Sequence, residues 1–342
     1  MFSQLWNKLT GAAPDPASTN ASAQTEPVAE PEATAEPEQS PTTANHPCVA
    51  TELTLRRSLD WRSKVLIDGA SAQSKQGDGP ALVDALRQAD DSIIRQPPDA
   101  AARALRVANN PNSPLSEIVS LFEHDPMLAQ ALLRQANSVY YRRGDSSMNS
   151  LSAAVQRVGL QAVQSVLMGA LVQSTLCRPG GAYDGLVTKV WTHMQRTAPI
   201  ARGLSRAFKV EPEAAFSLAL LHDVGKLVVF DHISSMRHRE RRELRIPEMF
   251  FRNLLWHLHE PLGGLAALRW GMGGEAAHTI GEHHRRPAPE QPDPITECIY
   301  VAESIELCHS NFTRLDWEKI WSEGAITTDR AAVEARLHEI EH

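Results

Sequence analysis

Hydrophobic residues recur every three or four positions through most of the chain after about residue 93, which is the spacing of one helix face. The clearest case is LSAAVQRVGLQAVQSVLMGALVQS, whose shared face consists of Val163, Val166, Leu167, Ala170 and Leu171. Neither the alternation of a half-buried strand nor a strand–helix–strand rhythm appears in this part of the chain. The pattern predicts an all-α, multi-helix bundle of ordinary single-domain size.

Two helix starts near the beginning of this bundle carry the residues expected at a helix N-terminus. Ser113 precedes Pro114, and Asp125 precedes Pro126, so a capping side chain is followed each time by proline at the first helical position. Proline fits there because the first N–H groups of a helix have no partner within it. The sequence therefore predicts that two helices begin at these points.

The first 45 residues have a different character from the bundle. Residues 10–45 contain six acidic residues and six prolines, and they contain no lysine, arginine or aromatic residue. Such a segment buries too little apolar surface to offset the entropy of ordering it. We therefore expect a disordered acidic, Pro-rich N-terminal tail that repels itself and carries most of the net charge of −7.

The residues ahead of this tail carry an apolar helical face. In MFSQLWNKLT, the positions spaced as i, i+3, i+4 and i+7 are Phe2, Leu5, Trp6 and Leu9. One interpretation of residues 1–12 is a docking helix for a partner or a membrane surface, and the other is a terminus that folds back on the domain. Lys8 is the single cation of this segment, which gives membrane binding little support.

Two further segments flank the predicted bundle, which extends over residues 93–310. In residues 46–92, TELTLRRSLDWRSKVLIDG alternates weakly and predicts one or two strands, PALVDALRQADDSII predicts a helix, and no function is assigned. Residues 311–342 predict two short amphipathic helices. Their apolar patch would pack against the bundle or else offer a face to a partner, and it consists of Trp317, Ile320 and Trp321.

Overall charge and hydropathy argue against several classes of protein. A net charge of −7 is unlike a broadly basic nucleic-acid surface, and the arginines of MRHRERRELRIP alternate with glutamates as on a solvated helix face. No stretch approaches the roughly 18 consecutive apolar residues of a membrane span, and no basic and then apolar leader opens the chain. The four cysteines form no CxxC pair. These features predict a cytoplasmic protein without nucleic-acid partners.

The second half of the chain carries histidines and carboxylates on apolar helices, where such groups can hold a metal ion. His222 and Asp223 are adjacent at the end of a very apolar helix, and adjacent helical residues differ by about 100°, so the pair can present a nitrogen and an oxygen to neighbouring metal positions. Lys226 lies one turn later, where it can neutralise a phosphate oxygen. The further candidate ligands are His193, His259, His283, His284 and Glu303.

The chemistry expected of this set is that of one or two divalent metal ions, with Fe, Mn, Zn and Mg all left open. Two ions about 3.5–4 Å apart can polarise a phosphoryl group and activate a water, which makes Asp223 and Lys226 the candidate catalytic residues. A single histidine on an apolar face is more often a hydrogen-bonded core residue. The hypothesis therefore depends on the joint set, and on its convergence in space.

Several separate motifs, in order, resemble the HDOD domain, a degenerate relative of the HD phosphohydrolase superfamily found in bacterial signalling proteins. SEIVSLFEHDPMLAQALLRQANSVYY is similar to the first-half signature, and SLSAAVQRVGLQAVQSVLM to the segment that follows, with Val158 and Gly159 in its Leu-Gly place. AAFSLALLHDVGKLVV is similar to the His-Asp motif, and HEPLGGLAALRWGM followed by HTIGEHH to the last third. The resemblance extends from about Ile94 to Ser310 and implies an HD-like helical bundle.

The resemblance also implies which residues would be metal ligands, through the ligand positions of the related HD-GYP branch. Glu303 stands where that branch has its final Asp, and His278 is the nearest counterpart of one further histidine position. RRPAPEQPDP contains no Gly-Tyr-Pro motif, which argues against cyclic-dinucleotide phosphodiesterase activity. The remaining positions fall on His193, His222, Asp223, His259 and either His283 or His284.

The resemblance leaves two functions open. Many HDOD domains have lost their metal ligands and act as regulatory modules, so the preferred hypothesis is a non-catalytic adaptor that binds signalling proteins. The alternative is a metal-dependent phosphohydrolase or phosphodiesterase that uses the retained ligand set. The adaptor is preferred because histidines can persist as structural ligands or as hydrogen-bonding groups of a core, and because a fold alone does not determine an activity.

Overall fold

The computed structural model describes residues 47–72, 75–90, 92–96, 104, 107, 110, 112–142, 148–177, 181, 183–285 and 291–341, so the tail and the apolar segment before it lie outside the described residues. Within the described part the regular structure is entirely α-helical, which confirms the predicted fold class. The helices are α1 (Pro47–Gly69), α2 (Gly79–Gln88), α3 (Leu115–Glu123), α4 (Pro126–Ala136), α5 (Leu151–Leu176), α6 (Asp184–Phe208), α7 (Pro212–Leu221), α8 (Val224–Glu240), α9 (Glu248–Arg269), α10 (Gly274–Gly281), α11 (Pro294–Asn311), α12 (Trp317–Glu323) and α13 (Arg330–Glu341).

The prediction of strands in TELTLRRSLDWRSKVLIDG was wrong, because this stretch forms most of the 23-residue helix α1. Leu55, Leu59 and Leu66 are buried on one face at separations of four and seven residues, whereas Trp61 on the other face is exposed. The buried face packs against α9 and α10. The helical spacing of these leucines, and not the weak alternation around them, decides the structure.

Helices α6, α7 and α11 pack tightly against one another, and α9 packs against α8, α10 and α1. These two groups meet where α7 ends and α8 begins, so His222 and Asp223 lie at their junction. Helix α5 buries Val163, Leu167 and Leu171 against the core, as the sequence pattern predicts. The bundle thus brings helices that are distant in sequence to one central point.

One predicted helix start is confirmed and the other is displaced. The Asp125 side chain caps α4 by accepting hydrogen bonds from the backbone N–H groups of Met127 and Leu128 at 2.8 and 3.2 Å. At the other start, Pro114 occupies the cap position of α3, and the Ser113 hydroxyl donates instead to the carbonyl of Val107 at 2.7 Å. The Ser113 hydroxyl is directed at this carbonyl from outside the helix, and no side chain caps α3.

Glycine is required at one point inside α5. Gly159 has a φ of +80°, and the helix is kinked there. A Cβ at this position would meet nothing within 4 Å, so the requirement comes from the backbone conformation and not from lack of space. This is the glycine that the resemblance matched to the Leu-Gly place of the family.

The C-terminal helices lie against the bundle. Ile320 is buried, and the rings of Trp317 and Trp321 are in contact at 5.6 Å between centroids. Helix α13 packs on α6, where Arg336 donates to the carbonyl of Gly203 at 2.8 Å. The apolar patch of these helices is therefore largely used in packing. None of the described helices is long and apolar enough to cross a bilayer.

Two arginines of MRHRERRELRIP, Arg237 and Arg242, make ion pairs with carboxylates. Arg242 reaches Asp78 and Glu240, each at 2.7 Å, and Arg237 pairs with Glu243. The Asp78 carboxylate also accepts a hydrogen bond from the backbone N–H of Arg245 at 2.7 Å. The hydrogen bonds from Arg242 and from Arg245 lower the pKa of Asp78 to about 2. This pairing agrees with the interpretation of the segment as a solvated face.

We expect Asp78→Asn to lower the melting temperature at pH 7 slightly, by at most about 2 °C, because exposed ion pairs contribute little. The pKa of Asp78 is lowered on folding, so its contribution is complete above the ordinary value near 3.8 and is lost as the pH falls toward about 2. Thermal unfolding of both proteins between pH 7 and pH 2.5 measures this. A difference that grows as the pH falls would contradict the assignment.

Candidate metal centre

The predicted metal ligands converge at the centre of the bundle, although they come from distant parts of the chain. Each is carried by a helix or by the turn after one, and all except His284 are buried. Their positions are α6 for His193, the end of α7 for His222, the α7–α8 junction for Asp223, α9 for His259, the turn after α10 for His283 and His284, and α11 for Glu303.

Four of these residues form a first cluster, whose ligand atoms all lie within 4.8 Å of one another: His193, His222, Asp223 and Glu303. The Nε2 atoms of His193 and His222 are 3.2 Å apart. Asp223 Oδ2 lies 3.5 Å from His222 Nε2, and Glu303 Oε1 lies 3.8 Å from the Nε2 atoms of both histidines. The cluster therefore directs two imidazole nitrogens and two carboxylate oxygens at one point.

Three histidines form a second cluster beside the first: His259, His283 and His284. The Nε2 atoms of His259 and His283 are 3.4 Å apart. The second oxygen of Asp223, Oδ1, faces both of them at 3.6 and 3.8 Å. Glu303 Oε2 lies 3.6 Å from Nδ1 of His284. Asp223 and Glu303 thus each present one oxygen to each cluster.

Backbone carbonyls hold three of the histidines in one orientation. The Nδ1 atoms of His222, His259 and His283 lie 2.7–2.8 Å from the carbonyl oxygens of Ala219, Leu255 and Ile280. A carbonyl can only accept, so Nδ1 carries the proton and donates it, and Nε2 keeps its lone pair. This is the tautomer in which an imidazole coordinates a metal through Nε2.

The histidines differ in their protonation. Burial lowers the pKa of both His222 and His284 to about 4, and it holds the pKa of His259 well below its usual range. Burial also disfavours the charged form of His193, but hydrogen bonds with Glu303 and Glu306 outweigh it and raise its pKa to about 9. At neutral pH the imidazoles of His222, His259 and His284 are therefore neutral in the absence of metal, and that of His193 is protonated.

Lys226 neutralises the central carboxylate. Its Nζ donates to Asp223 Oδ2 at 2.6 Å, and the lysine side chain is itself buried. Burial alone would raise the pKa of Asp223, but the charge of Lys226, which is the largest opposing effect, holds it well below its usual range. Asp223 is therefore a carboxylate, as a metal ligand must be.

The chemistry of the donor set fits divalent metal. Asp223 Oδ1 and His284 Nε2 are buried without a hydrogen-bond partner, which is costly for polar atoms. The Nε2 atoms of His259 and His283 also bring two lone pairs within 3.4 Å of each other. A cation among these atoms would satisfy the unpartnered groups and remove the repulsion. Imidazole and carboxylate oxygen are ligands that such ions use.

Three supporting residues were missed by sequence reasoning. Glu306 accepts a hydrogen bond from His193 Nδ1. Its position one turn after Glu303, on the same helix face, is the sequence feature that could have indicated this role. Glu260 accepts from the backbone N–H of His284 at 2.9 Å and from Arg62 at 2.5 Å. No sequence feature indicates a role for Arg62, because it lies on α1, in a segment where strands were predicted. Through these hydrogen bonds, Glu306 and Glu260 hold His193 and His284 in position, and Arg62 holds Glu260.

His278, the nearest counterpart of a further family histidine, does not join either cluster. Its side chain is mostly exposed, and its Nε2 lies 4.0 Å from Asp293. It is on α10, whereas the clustered His283 and His284 follow the end of that helix. Both members of the His-His pair lie in the second cluster.

Comparison with known proteins gives a consistent picture. The sequence model of the HDOD domain matches residues 94–286. A solved structure of a candidate metal-dependent phosphohydrolase from Shewanella amazonensis SB2B aligns with a TM-score of 0.60 at 16% identity, over 76% of this chain and 96% of that chain. An HDOD domain protein of unknown function from Geobacter sulfurreducens aligns with a TM-score of 0.51 at 19% identity, over 86% and 94%. At these identities the structures show a shared fold.

One curated relative is an uncharacterized protein of Treponema pallidum (strain Nichols). It is 29% identical over 220 residues, which is 61% of this chain and 41% of the relative. The chain therefore spans less than half the length of that relative. Helix α1 and Glu303 both lie outside the segment matched by the domain model, so part of the centre is contributed by neighbouring helices.

Proposed function

This chain belongs to the HDOD domain family, and from that membership we propose that it is a regulatory module of bacterial signal transduction that acts on protein partners and holds divalent metal in its buried centre. The observation that carries the proposal is the convergence of imidazole nitrogens on two shared carboxylates, Asp223 and Glu303. Bound ions would supply the positive charge that offsets these carboxylates and ties together helices distant in sequence.

The donor atoms suggest two metal positions. His193, His222, Asp223 and Glu303 would hold one ion, and the second would be held by His259, His283 and His284 together with the other oxygen of Asp223. Imidazole-rich sites suit iron or zinc, whereas magnesium prefers oxygen ligands and retained water. Among the four metals considered from the sequence, the donor set therefore favours iron or zinc, with manganese as the next choice.

Burial favours a regulatory role over catalysis. Four residues of the centre are fully buried, namely His222, Asp223, His259 and His283, and the side chain of His284 is only 13% exposed. A hydrolytic metal site needs an open coordination position and a path for its substrate. A closed centre is what a module requires if the metal sets the conformation that its partners recognise.

The alternative function is a metal-dependent phosphohydrolase or phosphodiesterase. The observation in its favour is Lys226, a buried cation in contact with Asp223, which would bind a phosphate oxygen if the centre opened. In that case Asp223 would remain a metal ligand and hold Lys226 in position, and Lys226 would face the phosphate. Lys226 would then contact the reacting phosphate, and Asp223 would contact the metal ions beside it.

Turnover by the metal-loaded full chain distinguishes the two functions. The protein is loaded with iron, manganese or zinc, and its rate with bis(4-nitrophenyl) phosphate is compared with that of His222→Ala treated in the same way. The regulatory proposal predicts stoichiometric metal in the wild type and equal background rates in the two proteins. Hydrolysis by the wild type that disappears in His222→Ala would support the alternative and contradict the regulatory role.

Docking through residues 1–12 is part of the proposal for partner binding, and it comes from the sequence alone. We expect deletion of residues 1–12 to remove captured signalling partners or to change localisation in the native bacterium, while deletion of twelve residues of the acidic tail leaves both unchanged. Affinity capture and fluorescence imaging of tagged full-length protein measure this. Unchanged partners and localisation after deletion of residues 1–12 would contradict docking by this segment.

We expect Arg62→Met to weaken metal binding by roughly ten-fold or more, since residues behind metal ligands commonly have effects of this size. Arg62 pairs with buried Glu260, which in turn accepts the backbone N–H of His284, so its loss leaves that carboxylate without its charged partner. Arg57→Met, on the exposed face of the same helix, is the control. Competition with a chelator of known affinity measures both variants, and equal affinities would contradict this role of Arg62.

A further inference from the structure

A large cavity lies away from the metal centre, among α3, α4, α5, α6 and α7. Its volume is about 1050 Å³, which is enough for a small organic molecule. Most of its wall is apolar, and the larger apolar side chains that line it include Leu128, Val166, Leu171, Trp191 and Phe216. Val166 and Leu171 belong to the apolar face of α5 that the sequence predicts, and both line this cavity.

Two polar groups in the wall of this cavity have no hydrogen-bond partner. They are Nε2 of Gln135 and Oγ of Ser138, and both atoms are buried. A buried donor without an acceptor costs free energy, and native proteins rarely leave one without a reason. Both atoms belong to residues that line the cavity, so a molecule bound there could supply the missing acceptor.

A buried arginine lies in the same wall and is held in a fixed position. The Arg202 guanidinium carbon lies 4.3 Å from the ring centroid of Tyr140 and 4.5 Å from that of Phe216. Arg202 also donates a long hydrogen bond, 3.4 Å, to Glu213, which accepts a second one from the hydroxyl of Tyr141. A guanidinium has five N–H donors, so this contact leaves donors for a ligand.

The cavity therefore combines an apolar body with a polar wall that holds two arginines and one carboxylate, Asp125, which is engaged in capping α4. Arg202 and Gln135 supply N–H groups, Ser138 supplies a hydroxyl, and Arg134 adds a second guanidinium to the lining. We propose that this cavity binds an amphipathic organic anion, with an apolar body among the leucines and aromatic rings and a carboxylate at Arg202, Gln135 and Ser138. An apolar cation or a neutral hydrocarbon would leave these donors unmatched.

The proposed site is separate from the metal centre but shares two helices with it. Trp191 lines the cavity on α6 two residues before His193, and Leu220 lines it on α7 two residues before His222. The site requires neither a metal ion nor hydrolysis. Its failure would therefore leave the proposed metal-binding function untouched, and the reverse is also true.

Binding of 8-anilinonaphthalene-1-sulfonate, an apolar anion whose fluorescence rises on binding, tests the proposal on the full chain. We expect saturable binding of about one molecule per chain, displaced by decanoate at least ten-fold more effectively than by decan-1-ol, which has the same chain without the charge. Absence of saturable binding, or equal displacement by the alcohol, would overturn the proposal.

Two variants locate the site. Ala170 lines the cavity, so Ala170→Phe should fill part of it and weaken dye and decanoate binding at least ten-fold, whereas Ala332→Phe on the exposed face of α13 should not. Unchanged binding in Ala170→Phe, with an intact near-ultraviolet circular dichroism spectrum, would contradict this location. A second variant covers the case in which the added ring disturbs folding.

Gln135→Met removes the unpartnered amide while keeping the length of the side chain. We expect it to weaken decanoate binding about five-fold, to leave decan-1-ol binding unchanged, and to keep or raise the melting temperature. Gln156→Met, on the exposed face of α5 and outside the lining of the cavity, should change neither ligand's affinity. Equal effects of Gln135→Met on acid and alcohol would contradict a role in recognising the anion.

Discussion

Gly225→Ala is expected to destabilise the fold by about 3 kcal/mol or more, at or above the upper end of the usual cost of overpacking a core. Gly225 is the second residue of α8, where this helix crosses α9. A Cβ there would lie 1.8 Å from the carbonyl oxygen of His259 and 2.7 Å from the backbone N of Gly263. Both are backbone atoms of a packed helix, so no side-chain rotation relieves the clash, and α9 must move away together with His259.

Gly185→Ala is the matched control for this prediction. Gly185 is likewise the second residue of its helix, α6, but a Cβ there would meet nothing within 4 Å. Alanine should therefore be neutral or stabilise by up to about 1 kcal/mol through its higher helix propensity. Urea unfolding of the three proteins measures both effects. Equal stability of Gly225→Ala and the wild type would show that α8 and α9 do not approach each other this closely.

Asp223→Asn is expected to reduce bound metal from two ions per chain to fewer than one, because Asp223 presents one oxygen to each cluster and is fully buried between them. It should also destabilise the metal-free protein by about 3 kcal/mol, since Lys226 is left as a buried cation without its carboxylate partner. Elemental analysis measures the metal content, and urea unfolding measures the stability. An Asp223→Asn protein that keeps two ions would contradict the shared role of this carboxylate.

A second substitution separates the two effects of Asp223→Asn. In the double variant Asp223→Asn with Lys226→Met, the buried charge is absent, so stability should return toward that of the wild type while metal stays lost. If the double variant were as unstable as Asp223→Asn alone, Lys226 would not be the source of the lost stability. Recovery of metal in the double variant would contradict the assignment of Asp223 as a ligand.

The sequence predicts the helical class and most of the residues of the centre, because both depend on local patterns. Helical spacing after residue 93 is strong, and the ordered motifs around His222 and Asp223 identify the candidates. Spacing alone does not show that Asp223 faces both clusters, since this depends on how α6, α8, α9 and α11 cross. The extra methylene of Glu303 is accommodated, because its two oxygens lie 3.6–3.8 Å from histidines of both clusters.

Other features could not be predicted, because they depend on contacts between residues far apart in sequence. Arg62 and Glu260 are separated by 198 positions, and nothing near Arg62 in sequence indicates a role in the centre. The weak alternation in α1 was misleading because the buried leucines, and not the polar residues between them, determine that helix. The cavity beside Arg202 is likewise a result of packing, since its lining residues read as an ordinary core face in the sequence.

Anomalous X-ray scattering from crystals of the full chain, purified from medium supplemented with iron, manganese and zinc, tests the central claim most directly. Metal binding at both clusters predicts two anomalous peaks, one among His193, His222, Asp223 and Glu303 and the other among His259, His283 and His284. The metal would be identified by its absorption edge. Crystals without either peak, from protein that contains no metal above background, would contradict metal binding by these two clusters.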